Sequence, residues 1–276
     1  MNDHVYDLLK WSVLAGGNGG NSGGGGGGSA SGPRTEYTKD SAGNIISAKC
    51  YDLTAVGFAE MQHLQSVDLS ECHNLTKISP YSFYKCPAIA NVVLPESITE
   101  IGTHAFYQTP SLTNIVLPEN VTTIKQNAFC ESGLTSVVLP KNLTNLEQNA
   151  FYKCPLLTSV AINAAITTFG TYAFGKCPAL SDVSFKNGLA LIGIRAFENC
   201  TSLKSISIPA TVKSIGYAAF GGCSALENAA FADASGWYVT TTQNATSGTN
   251  LTISNAATGA SYLKSTYSNY YWYDKT

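Results

Sequence analysis

A phenylalanine recurs along this chain at a nearly constant interval, and this spacing limits the possible folds more than any other feature. The successive intervals are 23, 23, 22, 23, 23 and 23 residues, and a degenerate earlier copy precedes them by 25 residues. The phenylalanines are Phe58, Phe83, Phe106, Phe129, Phe151, Phe174, Phe197 and Phe220. A repeat of this length predicts a solenoid, because one unit cannot bury its own apolar face, whereas stacked units bury it against each other.

The residues between two phenylalanines predict the course of one coil. Apolar side chains follow each phenylalanine by about six, nine and eleven residues, and an alternating pair such as Val92 and Leu94 is typical of a short strand. A proline such as Pro95 then ends that strand, since proline cannot donate to the next ladder bond. A β-branched Val-Thr-x-Ile stretch predicts a second strand, and the alanine before most of the phenylalanines predicts a tight helical turn. The predicted fold is an α/β repeat with short parallel strands and short helical turns, with about eight units over residues 53–231.

The repeat has a consensus in which proline, threonine, Ala-Phe and often cysteine stay in phase over six regular units. It reads Leu-x-x-Val-x-Leu-Pro-x-x-(Ile/Val)-Thr-x-Ile-x-x-x-Ala-Phe-x-x-Cys. This pattern resembles the leucine-rich repeats of BspA-like bacterial surface proteins, also called the Treponema pallidum type. The resemblance implies a leucine-rich-repeat solenoid, adhesion to host proteins or other cells, and repeats without catalytic residues.

The cysteines follow the repeat instead of forming a pairing pattern. Of the eight, five lie three residues after a phenylalanine, in a column where other units have Thr109 and Ser132. These five are Cys86, Cys154, Cys177, Cys200 and Cys223. A position that also accepts threonine and serine is small and buried, so we expect free thiols that pack as small hydrophobic groups. Stacked disulfides and a row of metal ions are the alternatives, although no Cys-x-x-Cys pair is present to favour a metal site.

Charge and hydropathy exclude several classes of function. The net charge is −2 and only 12% of the residues are charged, so no basic surface for nucleic acid is predicted. No apolar run is long enough to predict a transmembrane segment.

Catalytic residues are also missing from the pattern. The four histidines are His4, His63, His73 and His104, and none has a repeated acidic or nucleophilic partner at active-site spacing. The sequence therefore predicts no enzyme, no cofactor and no metal.

The first 32 residues differ from the repeat in composition. Residues 1–15 predict a short amphipathic docking helix, with anchoring side chains Val5, Leu8, Leu9 and Val13 on one face. Residues 16–32 contain eleven glycines and predict a flexible linker. Asp3, Asp7 and Lys10 argue against a classical signal peptide. We expect the helix to dock onto a larger assembly or onto other copies of the chain, because so short a helix is marginal alone.

The ends of a solenoid need atypical units that cover the open core. Residues 33–52 predict an N-terminal cap formed by a hairpin, with its turn at residues 40–44. The period is lost after Phe231, and residues 232–276 predict a C-terminal cap that contains strands and a helical piece near residues 260–267.

Two sets of side chains are candidates for binding. The first is the outward face of the predicted first strand, where a column of small polar residues lies beside a column of valines. Its central members are Asn91, Asn114 and Ser136 in one column, and Val93, Val116 and Val138 in the other. The second set is aromatic, since exposed tyrosine and tryptophan are favoured at interfaces. It consists of Tyr84, Tyr107 and Tyr152 after the phenylalanines, and of Tyr270, Tyr271 and Trp272 in the aromatic C-terminus. Ordinary packing is the alternative for both sets.

Two functions fit these observations. One is a non-catalytic binding or adhesion module, displayed on a tether at a bacterial cell surface, that recognises a protein or glycan on another cell surface through the solenoid face. The alternative is a structural or host-attachment protein of a bacteriophage particle, anchored by residues 1–15. The second needs no signal peptide, and the order of helix, linker and rod suits it.

Overall fold

The structure is a computed structural model that describes residues 32–162, 166–185 and 188–275. The predicted docking helix, with Val5, Leu8, Leu9 and Val13, lies outside the described residues, as does the predicted linker apart from Gly32. Both stay predictions.

The described residues form a solenoid of stacked coils, as the period predicts. Val137, Val160 and Val183 lie opposite one another in three parallel strands, so the pairing register equals the 23-residue repeat. The strands are β1 (Arg34–Lys39), β2 (Ile45–Tyr51), β3 (Ser66–Glu71), β4 (Lys77–Ile78), β5 (Asn91–Val93), β6 (Glu100–Ile101), β7 (Thr123–Ile124), β8 (Ser136–Leu139), β9 (Asn145–Leu146), β10 (Ser159–Ile162), β11 (Asp182–Phe185), β12 (Leu191–Ile192), β13 (Ser205–Ile208), β14 (Ser214–Ile215), β15 (Asn228–Phe231), β16 (Trp237–Thr240), β17 (Thr249–Asn250) and β18 (Tyr271–Asp274).

Most coils contribute one strand to each of two walls. The front wall contains the sheets β1-β2-β3-β5, β8-β10-β11 and β13-β15. The back wall contains β4-β6-β7-β9 and the sheet β12-β14-β18-β16-β17. Burial alternates along the front strands, since Ser136 and Val138 are exposed whereas Val137 and Leu139 are buried. The apolar core therefore lies between the two walls, and every second side chain of the front wall faces solvent.

A continuous stack of phenylalanine rings fills the core behind the turns. The eight recurring phenylalanines stack in chain order, with neighbouring centroids 4.9–5.5 Å apart and planes within 21° of parallel. Each ring is at most 1% exposed. Near-parallel rings at this separation are offset-stacked, which adds to the hydrophobic gain of burial. The spacing in sequence thus becomes a single buried row, named here the Phe ladder.

The turns that present these phenylalanines are not helical, in contrast to the prediction. Positive φ occurs on both sides of the ladder phenylalanines. It is found two positions before each one from Phe83 onward and two positions after every one, for example at Asn127 (56°) and Glu131 (58°) around Phe129. A left-handed residue on each side interrupts right-handed winding. Every second main-chain N–H bonds to the next coil, as from Asn127 N to Gln148 O (3.1 Å) and from Glu131 N to Tyr152 O (2.9 Å). The N–H groups between them bond three residues back within the turn, as from Cys130 N to Asn127 O (3.2 Å).

The cysteine column packs as predicted. All eight cysteines are free and buried. In five coils the thiol donates to the carbonyl of the ladder phenylalanine in the preceding coil, as from Cys200 Sγ to Phe174 O at 3.2 Å. The five donors are Cys86, Cys154, Cys177, Cys200 and Cys223. Each thiol therefore satisfies a buried carbonyl as well as filling space.

The first end of the solenoid is closed by a hairpin. β1 and β2 pair antiparallel, and β2 continues parallel onto β3. The turn is held by Asp40, whose carboxylate accepts from Ala42 N (2.9 Å) and Asn44 N (2.8 Å). The side chain of Asn44 also donates to Asp40, from Nδ2 to Oδ2 at 2.9 Å. The hydrogen bonds donated by Asn44, first of all the one from its side chain, lower the pKa of Asp40.

The second end is closed by a short helix, α1 (Ala256–Ser261), followed by a π-helical segment (Tyr262–Thr266). Asn255 caps α1 by accepting from Thr258 N at 2.9 Å. Gly259 allows the helix to lie on β15, because a Cβ there would be 2.7 Å from Ala229 O. β18 then pairs antiparallel with β14 of the back wall.

Candidate binding surface

The outward side of the front wall, named here the strand face, carries the two predicted columns. All six candidate residues are exposed: Asn91, Asn114, Ser136, Val93, Val116 and Val138. The three valines are 40%, 76% and 62% exposed in chain order. The three valines occupy equivalent positions of three successive coils, and exposed apolar residues that are grouped in this way are typical of a surface that contacts another molecule. Strand alternation explains this placement for Val93 in β5 and Val138 in β8, because each follows a buried residue of the same strand.

Val116 is the most exposed of the valines because the front wall is interrupted there. Residues 112–117 form no strand in the described part of the chain, whereas β5 and β8 lie in the coils on either side. The following coil is the one with the 22-residue interval. Its shortened turn brings Gly133 against Pro110, where a Cβ on Gly133 would be 2.0 Å from Pro110 O. The sequence predicted a strand in this coil, and the structure has an irregular segment.

The N-terminal hairpin extends the strand face into a concavity of about 490 Å³. Its lining runs from the hairpin across β3 to Asn91 and Val93. Lys49 and Asp68 lie in this lining with Lys49 Nζ 3.8 Å from Asp68 Oδ2. The strand face is therefore polar and concave at its N-terminal end and apolar at the centre.

The tyrosines after the phenylalanines lie on the turns, where they are half-buried. Tyr84 and Tyr107 stack on each other with centroids 5.3 Å apart. Tyr152 packs edge-to-face with Tyr172 at 5.3 Å. These contacts cover much of each ring, so the tyrosines stabilise the turns and leave mainly their edges for a ligand.

His104 packs with Tyr81, Tyr84 and Tyr107 in one aromatic cluster on the turns. The sequence pattern did not predict this contact. The His104 ring stacks on Tyr81 with centroids 5.0 Å apart and planes within 5°. Asn127 Nδ2 lies 2.9 Å from His104 Nε2. His104 Nδ1 is buried and has no hydrogen-bond partner among the described residues. Desolvation by burial lowers the pKa of His104. The positive φ of Tyr81 and His104 (62° and 56°) gave no signal in the sequence.

The C-terminal aromatics divide between surface and core, and Trp272 belongs to the core instead of a binding surface. Trp272 is 1% exposed, and its ring stacks on Phe231 with centroids 6.2 Å apart. Its Nε1 donates to Tyr267 O at 3.1 Å. Tyr270 and Tyr271 are half-buried, and Tyr270 packs edge-to-face on Tyr267. This segment therefore closes the end of the core.

Neither a metal-binding cluster nor a membrane-spanning helix is present among the described residues. Within residues 32–162, 166–185 and 188–275, no three His, Cys, Asp or Glu side chains are grouped so that they could hold a metal ion. Over the same ranges, no helix has the length and apolarity to cross a membrane.

The sequence was compared with known protein families. The profile described as BspA type leucine rich repeat region, with six copies, matches residues 44–157, 99–227 and 146–266. The chain belongs to the BspA type leucine-rich repeat family. Such repeats form a non-catalytic scaffold, typical of proteins that bind partners at surfaces. No curated protein matches this leucine-rich repeat chain significantly.

Solved structures of bacterial leucine-rich repeat proteins are also similar to this chain. A leucine-rich repeat protein from Bacteroides ovatus is 19% identical, over 73% of this chain and 70% of that chain, with a TM-score of 0.48. The T. pallidum leucine-rich repeat protein is 22% identical, over 69% of this chain and 87% of that one, with a TM-score of 0.39. A protein from Faecalibacterium prausnitzii described as a leucine rich cell surface protein is 16% identical, over 73% and 94%, with a TM-score of 0.29.

Proposed function

We propose that this leucine-rich repeat chain is a non-catalytic, surface-displayed adhesion module that binds a partner on another cell surface through its strand face. The observation that carries the proposal is the exposed row of Val93, Val116 and Val138 beside a row of small polar groups. Of the two partner classes expected from the sequence, protein or glycan, the valines favour protein. Apolar side chains that remain in water gain free energy when a protein surface covers them.

The rigidity of the solenoid supports this role. Parallel ladders hold the front strands in register, as where β10 pairs with β8 on one side and with β11 on the other. A preformed surface loses little conformational entropy on binding, so more of the contact energy appears as affinity. The polar concavity beside Asn91 adds hydrogen-bonding groups at one end of the apolar row.

The alternative role on a bacteriophage particle depends on residues 1–32. Of these, only Gly32 is described, so that role stays a prediction. It leaves the proposed use of the strand face unchanged, because both roles display the same solenoid.

The test is binding of the purified full chain to a panel of purified extracellular proteins, measured by biolayer interferometry. Val116→Asp places a charge at the most exposed valine and is expected to weaken binding at least about tenfold, since a buried unpaired charge costs more than 1.4 kcal/mol. The matched control is Leu156→Asp, which alters another exposed apolar residue (49% exposed) at the turns.

Unchanged binding of the Leu156→Asp variant with weakened binding of the Val116→Asp variant supports the strand face. Equal effects of the two substitutions, or no binding to any protein of the panel, would contradict the proposal.

A further inference from the structure

A second concave site lies on the turns, away from the strand face. It is a groove of about 420 Å³. The groove, named here the turn groove, is lined by Gln62, Lys85, Pro87, Gln108, Pro110 and Glu131. Its volume falls in the range of small-molecule sites, toward the lower end.

The lining comes from two columns of the repeat. Gln62, Pro87 and Pro110 follow successive ladder phenylalanines by four residues, whereas Lys85, Gln108 and Glu131 follow theirs by two. One wall is therefore formed by two rigid proline rings with an amide at its end. The other wall presents an ammonium, an amide and a carboxylate in a row.

The polar wall is fixed in place before any ligand arrives. Its three residues have positive φ, of 52°, 53° and 58°. Their main-chain N–H groups bond to the next coil, for example from Lys85 N to Tyr107 O at 2.8 Å and from Gln108 N to Cys130 O at 3.0 Å. Two of the three side chains are linked as well, because Gln108 Nε2 donates to Glu131 Oε2 at 2.8 Å. Glu131 Oε1 accepts in turn from Lys153 Nζ at 3.3 Å.

We propose that the turn groove binds a neutral carbohydrate of mono- or disaccharide size. The lining holds one cationic and one anionic side chain, Lys85 and Glu131. Glu131 Oε1 is also paired with Lys153 Nζ outside the lining, at 3.3 Å, so the carboxylate is partly neutralised and a cation is not favoured. Carboxylate oxygens have several acceptor sites, and Glu131 can accept from a sugar hydroxyl while it keeps its bonds from Gln108 and Lys153. The ammonium of Lys85 donates to a second hydroxyl, and the apolar C–H face of a sugar ring packs on the prolines.

The same lining disfavours a peptide. The main-chain donors along the polar wall are already used between coils, so a peptide strand cannot extend a ladder there. No leucine, isoleucine, valine or aromatic side chain lines the groove to receive an apolar anchor. A sugar matches both walls, because its hydroxyl groups can bond to the polar wall and its flat apolar ring face can pack on the prolines.

The experiment is saturation-transfer difference NMR on the full chain with four neutral disaccharides at millimolar concentration: lactose, maltose, cellobiose and diacetylchitobiose. We expect transfer to at least one of them. Gln108→Ala removes the amide that holds Glu131 Oε2 in place and is expected to weaken the signal roughly fivefold, the equivalent of one hydrogen bond. The matched control is Lys176→Ala, which changes a positive-φ residue at the same position of a distant coil.

A second variant separates loss of sugar binding from local misfolding. Glu131→Gln keeps the size of the side chain and is expected to weaken sugar binding with an unchanged melting temperature. Transfer to none of the four sugars, stronger transfer to a sulfated heparin disaccharide or to a tetrapeptide, or equal signals from Gln108→Ala and Lys176→Ala would overturn the proposal. Val116→Asp is expected to leave the sugar signal unchanged, so failure here and failure of the strand-face proposal are distinguishable.

Discussion

Phe106 stacks on Phe129 with ring centroids 5.0 Å apart and planes within 1° of parallel. The two residues are 23 positions apart in sequence, and each belongs to a different coil. The contact repeats through the whole array, so the core of each coil is completed by the rings of its neighbours. Stability of the solenoid is then a sum of contacts between adjacent coils.

Removing a ring from the middle of the Phe ladder is therefore expected to be severe. Phe129→Ala should lower the free energy of unfolding by about 3–5 kcal/mol, since it deletes a fully buried aromatic side chain with rings on both faces. The measurement is urea unfolding followed by circular dichroism. Phe58→Ala is the control, because Phe58 at the end of the ladder stacks on Phe83 alone among the ladder rings. Equal losses for the two variants would contradict the stacking account.

The left-handed residues of the turns carry a conformational cost that glycine would remove. Lys176 is exposed and has a φ of 56°. Lys176→Gly and Lys176→Ala both remove the contact of its ammonium with the Tyr152 ring, but only glycine adopts positive φ without strain. We expect the glycine variant to be more stable than the alanine variant by about 1 kcal/mol. Thermal or urea unfolding measures the difference, and an alanine variant at least as stable would show that these turns are unstrained.

The buried thiols should make the protein sensitive to alkaline pH. Desolvation by burial raises the pKa of Cys86, Cys130 and Cys223 to about 12, from the ordinary thiol value of 9.0. An unfolded chain loses these protons near pH 9 while the folded chain keeps them, so stability is complete below about pH 9 and falls as the pH rises toward 12. Urea midpoints between pH 8 and pH 11 measure this.

Reactivity gives an independent check on the same thiols. At pH 8 we expect iodoacetamide to leave the cysteines of the native protein unlabelled, because the thiolate is the reactive form. In urea the same reagent should label them. Rapid labelling of Cys86 or Cys223 in the native state, detected by mass spectrometry, would contradict the burial described here.

His104 should make the protein less stable at mildly acidic pH. Desolvation lowers the pKa of His104 in the folded state, so below about pH 6.5 the unfolded chain binds the proton more readily. Stability is then lost as the pH falls from 6.5 toward the lowered pKa. His104→Asn should remove this loss, since Asn127 and Asn149 occupy the same position in the next two coils. The measurement compares melting temperatures at pH 7 and pH 5.

The control for this prediction is His63→Asn, which replaces an exposed histidine outside the aromatic cluster. We expect it to retain the acid sensitivity of the parent chain. If His104→Asn is as acid-sensitive as His63→Asn, the buried Nδ1 of His104 is not the cause.

The repeat pattern predicted which residues superimpose, but not how the turns are shaped. Alanine before phenylalanine is a helix-favouring pair in sequence, yet the chain around Phe129 is left-handed at Asn127 and Glu131. Propensity acts within a few residues, whereas these turns are fixed by main-chain bonds to a coil about 23 residues away. The turn groove depends on the same contacts between coils. Its two walls come from columns that are two residues apart in the sequence, and their distance in space is set by the shape of the turns.

The aromatic C-terminus shows the same division. Trp272 was predicted as a binding residue because exposed and buried aromatics produce the same local pattern, and only its contact with Phe231 places it in the core. By itself the sequence determined the solenoid, the Phe ladder and the outward valines, because strict periodicity forces equivalent residues into one row. Only the tertiary structure decided the left-handed turns, the interruption at residues 112–117 and the groove, because each depends on contacts between coils, which periodicity does not specify.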